Sequence, residues 1–255
     1  MQALRSTWWL AGRSLLLVRR LPSVFIPSLV MPLFILVATA GAFHGNGELP
    51  VFQGQSYLRF TIPMACTMGA GFAGINAGMT QARDIEGGFF ARLAATPIPR
   101  IALIGGPALA AIARSIFTTT VVLTVAAMGS IGLPGLGGTL IIYAFAASFS
   151  LIAACWSMGV ALRARSMQAV PLMQVAIFVS VFLSVAYTPR IAMRGWLRHA
   201  ADWNPVTRIL ETARAAEAGT LAWSNIWPGL ACIAGLLLVL GTFALTGLNR
   251  AVREA

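Results

Sequence analysis

Lysine is absent from this sequence, and all 18 basic residues are arginine. A phosphate-binding loop of the form GxxxxGK[ST] requires that lysine, so the chain carries no nucleotide site of the usual kind. Charge is scarce in general. Asp, Glu, Lys and Arg make up 10% of the 255 residues, against roughly 25% in a soluble domain. The two histidines, His44 and His199, lie far apart in sequence, which leaves a zinc protease or a Ser-His-Asp hydrolase without support. Cys66, Cys155 and Cys232 spell neither a disulfide framework nor a metal pattern and read as buried apolar thiols. Asp84 and Glu86 stand at i and i+2, a spacing that does not bring two carboxylates face to face on a helix. Intrinsic catalysis, a resident cofactor and a bound metal are therefore not expected.

What the chain has in abundance is apolar length. Mean hydropathy is +0.81. No charged residue occurs between Arg20 and Glu48, Arg59 and Arg83, Arg114 and Arg163, Arg165 and Arg190, or Glu217 and Arg250. A helix needs about 20 apolar residues to cross a hydrocarbon core of about 30 Å. Division of the long third gap at the Gly/Pro-rich stretch 129–138 predicts six crossings, at 23–43, 58–80, 101–128, 139–162, 167–188 and 226–248. The expected fold is an all-α polytopic membrane protein, one domain over 1–255. An interfacial helix lies within 1–22, a charged cytoplasmic region at 81–100 and short outer helices at 189–225. The first apolar run starts late and holds Pro22, Pro27 and Pro32, so it reads as an uncleaved span rather than a signal peptide.

The net charge of +11 reports orientation here, not nucleic acid. Arg5, Arg13, Arg19, Arg20, Arg83, Arg92, Arg100, Arg163, Arg165, Arg250 and Arg253 fall on one side of the predicted crossings. The positive-inside rule makes that side cytoplasmic, with both termini there. Arg59 and five arginines of 189–225 fall on the other, where headgroups can hold them.

Four stretches stand out against this background. In 3–20, Leu4, Trp8, Ala11, Leu15 and Val18 recur at helical spacing among arginines, as in a helix lying along a membrane surface with its cations snorkelling. In 81–100, QARDIEGGFFARLAATPIPR, the residues Ile85, Phe89 and Leu93, with Phe90 beside them, give one apolar side. Arg83, Asp84, Glu86 and Arg92 give the polar remainder, suited to a helix flat under the membrane that shows charge to a partner. Gly87-Gly88 weakens such a helix by up to about 2 kcal/mol, and Pro97 and Pro99 end it. Gly74 and Gly78 form GxxxG, which permits close helix approach within the chain or between subunits. Arg114 is the one full charge deep in a span. It either snorkels to headgroups or faces a pathway or an intersubunit groove.

The segment 189–225 reads as outer helices. Asn204 before Pro205 is a helix start, Gly219 a stop, and Trp196, Trp203, Trp223 and Trp227 suit an aromatic belt.

RDIEGGFFARLAATPIPR resembles the RExGTxExLxxTPxxR coupling region of type-2 ABC exporter permeases, the family that includes daunorubicin-resistance permeases. WNPVTRILETAR is similar to that family's YNPxxxxxxxxR segment before the last span. The sequence departs from the coupling pattern at Gly88-Phe89-Phe90-Ala91. The resemblance implies that Glu86, Leu93, Thr96, Pro97 and Arg100 belong to a cytoplasmic element taking up motion from a separate ATPase. Arg83, Phe89, Phe90 and Arg92 are its neighbours there. It places Asn204, Pro205 and Arg214 in an outer gate region. It also implies two permease subunits, homo- or heterodimeric, with two ATPases that bind ATP and magnesium, in a prokaryotic plasma (inner) membrane. The expected activity is efflux of a hydrophobic or amphiphilic substrate (drug, antibiotic or lipid). The alternatives are export of a polysaccharide or lipo-oligosaccharide, a passive channel and a membrane scaffold.

Overall fold

The computed structural model describes residues 2–20, 22–42, 57–128, 135–220 and 222–253. His44, most of the loop after the first expected span, and 129–134 of the Gly/Pro-rich stretch lie outside the described residues. Among those described there are ten α-helices and no strand: α1 (Gln2–Arg20), α2 (Pro22–Ala42), α3 (Tyr57–Glu86), α4 (Phe89–Ala94), α5 (Arg100–Met128), α6 (Leu136–Ala164), α7 (Val170–Phe182), α8 (Gly195–Trp203), α9 (Pro205–Glu217) and α10 (Trp223–Arg253). Short 3₁₀ turns precede α7 and α8. Among the described residues three helices, α5, α6 and α10, are long and apolar enough to cross a membrane.

The architecture is built around α3 and α6, which pack along much of their lengths, with α2, α5 and α10 laid against them. Small residues make the central pair possible. A methyl group on Gly74 would come within 2.5 Å of the Ala153 Cβ and 2.6 Å of the Ser150 carbonyl oxygen, and Gly78 is pressed against Ser157 in the same way. Ser157 then donates to the buried carbonyl of Gly74 at 2.8 Å. Close approach at GxxxG is thus realised between two helices of one chain, with a hydrogen bond that a larger residue would exclude. Further along, at the C-terminal end of α6, Arg163 stacks over Phe243 at 3.7 Å and donates to the Phe243 carbonyl and to Thr246 Oγ1, each at 2.8 Å, which ties α6 to α10.

The fifth expected span is shorter than the 167–188 read from its apolar run. Its helix ends at Phe182, and 183–188 form turns. The carbonyls of Val185 and Ala186 accept from Arg214 Nη1 and Nη2 at 2.7 and 2.9 Å, so a side chain from α9 satisfies backbone groups that a continued helix would have used. The expected helix at the start of the charged region also changes. Gln81 to Glu86 continue α3, which at 30 residues is about 45 Å long and overshoots a bilayer core of about 30 Å.

Six of the seven tryptophans are exposed, and they form two groups, Trp8 and Trp9 on α1 and Trp196, Trp203, Trp223 and Trp227 on α8 and α10. Amphipathic indoles at the two rims suit two membrane interfaces. On α1 the face packed against α5 is the small one. Gly105 lies against Thr7 and Gly106 against Leu10, while Ala11 and Ser14 are buried. Leu4, Trp8 and Leu15 are exposed, as the lipid-facing side of an interfacial helix requires.

Candidate functional site

The charged region folds into a break and a short helix. Gly88, with φ of 66°, takes the left-handed conformation that glycine adopts without strain. The amides of Gly87 and Gly88 close back on Arg83 and Ile85 at 2.9 and 3.0 Å. α4 then runs for six residues. The turn at Gly87-Gly88 breaks the helix between α3 and α4, so the apolar residues of 81–100 lie on two helices. Phe90 is buried at 5% exposure, with Ile85 and Leu93 packed around it. Thr96 donates from Oγ1 to the Leu93 carbonyl at 2.6 Å and closes α4 before Pro97 and Pro99.

Two polar links hold this unit in place. Arg13 on α1 grips Asp84 through two parallel bonds of 2.6 and 2.7 Å and lies 3.9 Å from the Phe89 ring centroid. The Asp84 carboxylate raises the Arg13 pKa further, mainly through these bonds. Glu86 Oε1 accepts from the backbone amide of Met167 at 2.7 Å, in the turn joining α6 to α7. α1, the end of α3, α4 and the turn joining α6 to α7 are therefore linked as one unit. The outward side of that unit consists of Arg83, Glu86, Arg92, Thr96, Pro97 and Arg100, all exposed. Phe89 and Leu93 are half-buried. In the sequence Arg13 reads as a snorkelling and orienting cation and Asp84 as part of the polar side of 81–100, and neither position by itself marks the pair. The available signal was an acid at the end of α3 that needed a cation from another helix.

At the opposite end, Asn204 accepts from the Val206 amide through Oδ1 at 2.9 Å, capping α9, and donates through Nδ2 to the Ser180 carbonyl at 2.6 Å. Pro205 is the first residue of α9. Arg214 stacks over Phe60 at 3.6 Å besides holding the end of α7. One turn further, Glu217 is 4% exposed. Its Oε1 lies 3.6 Å from Arg59 Nε, and its carbonyl accepts from Arg59 Nη2 at 3.2 Å. Burial pushes the Glu217 carboxyl up to about 8, against the opposing pull of Arg59 and Arg214. On the surface, Arg190 bonds Asp202 and holds its carboxyl below the usual range.

Arg114 is buried at 6% exposure, with Nε donating back to the Ala110 carbonyl at 3.1 Å. Its Nη2 finds no hydrogen-bond partner among the described residues, and neither do the buried Ser115 and Thr119 hydroxyls of α5. Gly74 and Gly78 face α6, not Arg114. Among the described residues no group of three or more His, Cys, Asp or Glu is placed to hold a metal ion.

Neither a curated protein nor a solved structure matches the chain. A family model, ABC-2 type transporter, matches residues 5–218, most of the sequence, including α1, the Arg13–Asp84 clamp, α4 and the whole of α9. The chain belongs to the ABC-2 type transporter family, as a type-2 ABC permease subunit.

Proposed function

We propose that this chain is the membrane half of an exporter driven by a separate ABC ATPase. It crosses a prokaryotic plasma (inner) membrane six times with both termini cytoplasmic. It works as one of two permeases, homo- or heterodimeric, with two ATPase subunits that bind ATP and magnesium. Its cargo is a hydrophobic or amphiphilic molecule (a drug, antibiotic or lipid). The surfaces of α2, α7 and α10 that face outward are mostly apolar, which supports a cargo that partitions into lipid.

The observation that carries this reading is the exposed ridge of Arg83, Glu86, Arg92, Thr96, Pro97 and Arg100 set on a clamped base. A coupling element must present contacts that differ between two states of its partner, since only differential affinity shifts a conformational balance. It must also be stiff toward the helices it moves. Charges on the outside with Phe90 and the Arg13–Asp84 pair beneath meet both needs. The outer cluster of Asn204, Pro205 and Arg214 joins α9 to α7 and α3, and supports its role as an outer gate. Arg114, buried with an unmet donor, is assigned to the pathway or subunit interface.

The test is co-purification with a separate ABC ATPase, followed by ATP-dependent flux in vesicles. The paired change Arg83→Glu and Arg92→Glu is expected to lower ATPase recovery at least fivefold at unchanged membrane abundance. Full recovery and full flux with both charges reversed would overturn the docking assignment.

A further inference from the structure

α7 and α10 both pack on α6 but scarcely touch each other. Between them lies a cavity of about 250 Å³. Its floor is Phe149, Ile152 and Trp156 of α6, its sides are Ala176 of α7 and Leu236 and Leu240 of α10, and the start of α9 closes one end. A dry cavity of about 150 Å³ accepts benzene, so this space takes a short hydrocarbon segment.

From this cleft we infer a phospholipid site, with one acyl tail between α7 and α10 and the phosphate at the α9 end. The polarity of the walls runs the right way. The lining is overwhelmingly apolar, and its polar members sit at the α9 end with their bonds already made. Ser180 Oγ donates to the Ala176 carbonyl at 2.7 Å, and both ends of the Asn204 amide are engaged. Only the Trp156 indole N–H lacks a partner among the described residues, and it is buried. A sugar or peptide would lose its hydrogen bonds to water in such a slot, whereas a methylene chain loses none.

The mouth is flanked by lipid-facing surface. Leu238, Val239 and Leu245 of α10 are exposed on a helix apolar enough to span a membrane. One turn past Asn204, Arg208 extends over this end with its side chain 41% exposed and close enough to interact with Cys232 of α10. Its Nη1 is paired with Glu211 at 3.2 Å, and its remaining N–H groups are the ones offered to the phosphate. The exposed apolar residues of α7, Leu172, Val175, Val179 and Phe182, do not line the cleft. The site is independent of which cargo is exported.

The full chain in lipid nanodiscs is photolabelled with phosphatidylcholine bearing a diazirine at mid-tail, and labelled residues are mapped by mass spectrometry. Phe149 and Ile152 are buried, so their labelling requires a tail inside the cleft. Label is expected at both, and Ala176→Phe is expected to reduce it at least fivefold while Leu245 on the open face stays unchanged. Leu240→Phe is the second filling variant, for use if the first does not accumulate. Arg208→Gln is expected to lower cleft label at least twofold for the phospholipid and leave a free diazirine fatty acid unaffected. Absence of label at Phe149 and Ile152, label insensitive to both filling variants, or a disulfide between two copies at Leu236→Cys would each overturn the assignment.

Discussion

Removing the Asp84 carboxylate as Asp84→Asn should loosen α1 and α4 together. The Arg13–Asp84 pair is bidentate, and its side chains are 35% and 17% exposed. Exposed ion pairs contribute about 0.2–1 kcal/mol, and the paired geometry and the partial burial of Asp84 place this one at the upper end. The Arg13 position over Phe89 adds about 0.5 kcal/mol at a half-exposed site. It weakens once the guanidinium is released. The sum is about 1.5 kcal/mol, a factor of roughly ten in a local opening equilibrium. Amide hydrogen exchange of the purified protein reads that equilibrium directly. Peptides from 5–16 and 89–95 should exchange about tenfold faster in the variant, and peptides from the α3–α6 centre should not change. Arg13→Gln alone should have a similar effect, and the double variant no greater one, because the two changes remove the same interaction. Changes under twofold, or effects of the two variants that add, would refute the clamp.

Gly74→Val should collapse the central packing. The new side chain meets the Ser150 carbonyl and Ala153, and the protein is expected to fail to accumulate in membranes, as measured by immunoblot against the parent. Arg214→Met keeps the length of the side chain but strips the Val185 and Ala186 carbonyls of their donors, a loss of about 2–4 kcal/mol. Limited proteolysis should then cut within 183–190 at least tenfold faster. For Glu217, a carboxyl whose folded value of about 8 lies above its ordinary 4.5, the folded state holds the proton longer than the unfolded one. Stability from this group is thus full below pH 4.5 and falls as pH rises toward 8. Glu217→Gln should leave the melting temperature in detergent unchanged near pH 4.5 and raise it above the parent at pH 8. A variant that melts below the parent at pH 8 would show that the charged form is the one the fold needs.

Fold class, family and the position of the charged region were legible in residue order because each depends on one-dimensional quantities. An uncharged run either is or is not long enough to cross a bilayer, and Gly87-Gly88 with Pro97 and Pro99 punctuates a helix wherever the chain goes. Tertiary structure alone decided which side of each element does what. The periodicity of Ile85, Phe89 and Leu93 assumed one continuous helix, but the left-handed turn at Gly88 starts a new one and turns Phe90 inward. The apolar run of the fifth span does not reveal that Arg214, from a helix later in the chain, takes its last carbonyls. Partners such as Arg13 with Asp84, or Glu86 with the Met167 amide, are far apart in sequence and have no local signature. A salt bridge or carbonyl cap is a meeting of two surfaces, and only the packing of α1, α3, α6 and α9 brings those surfaces together.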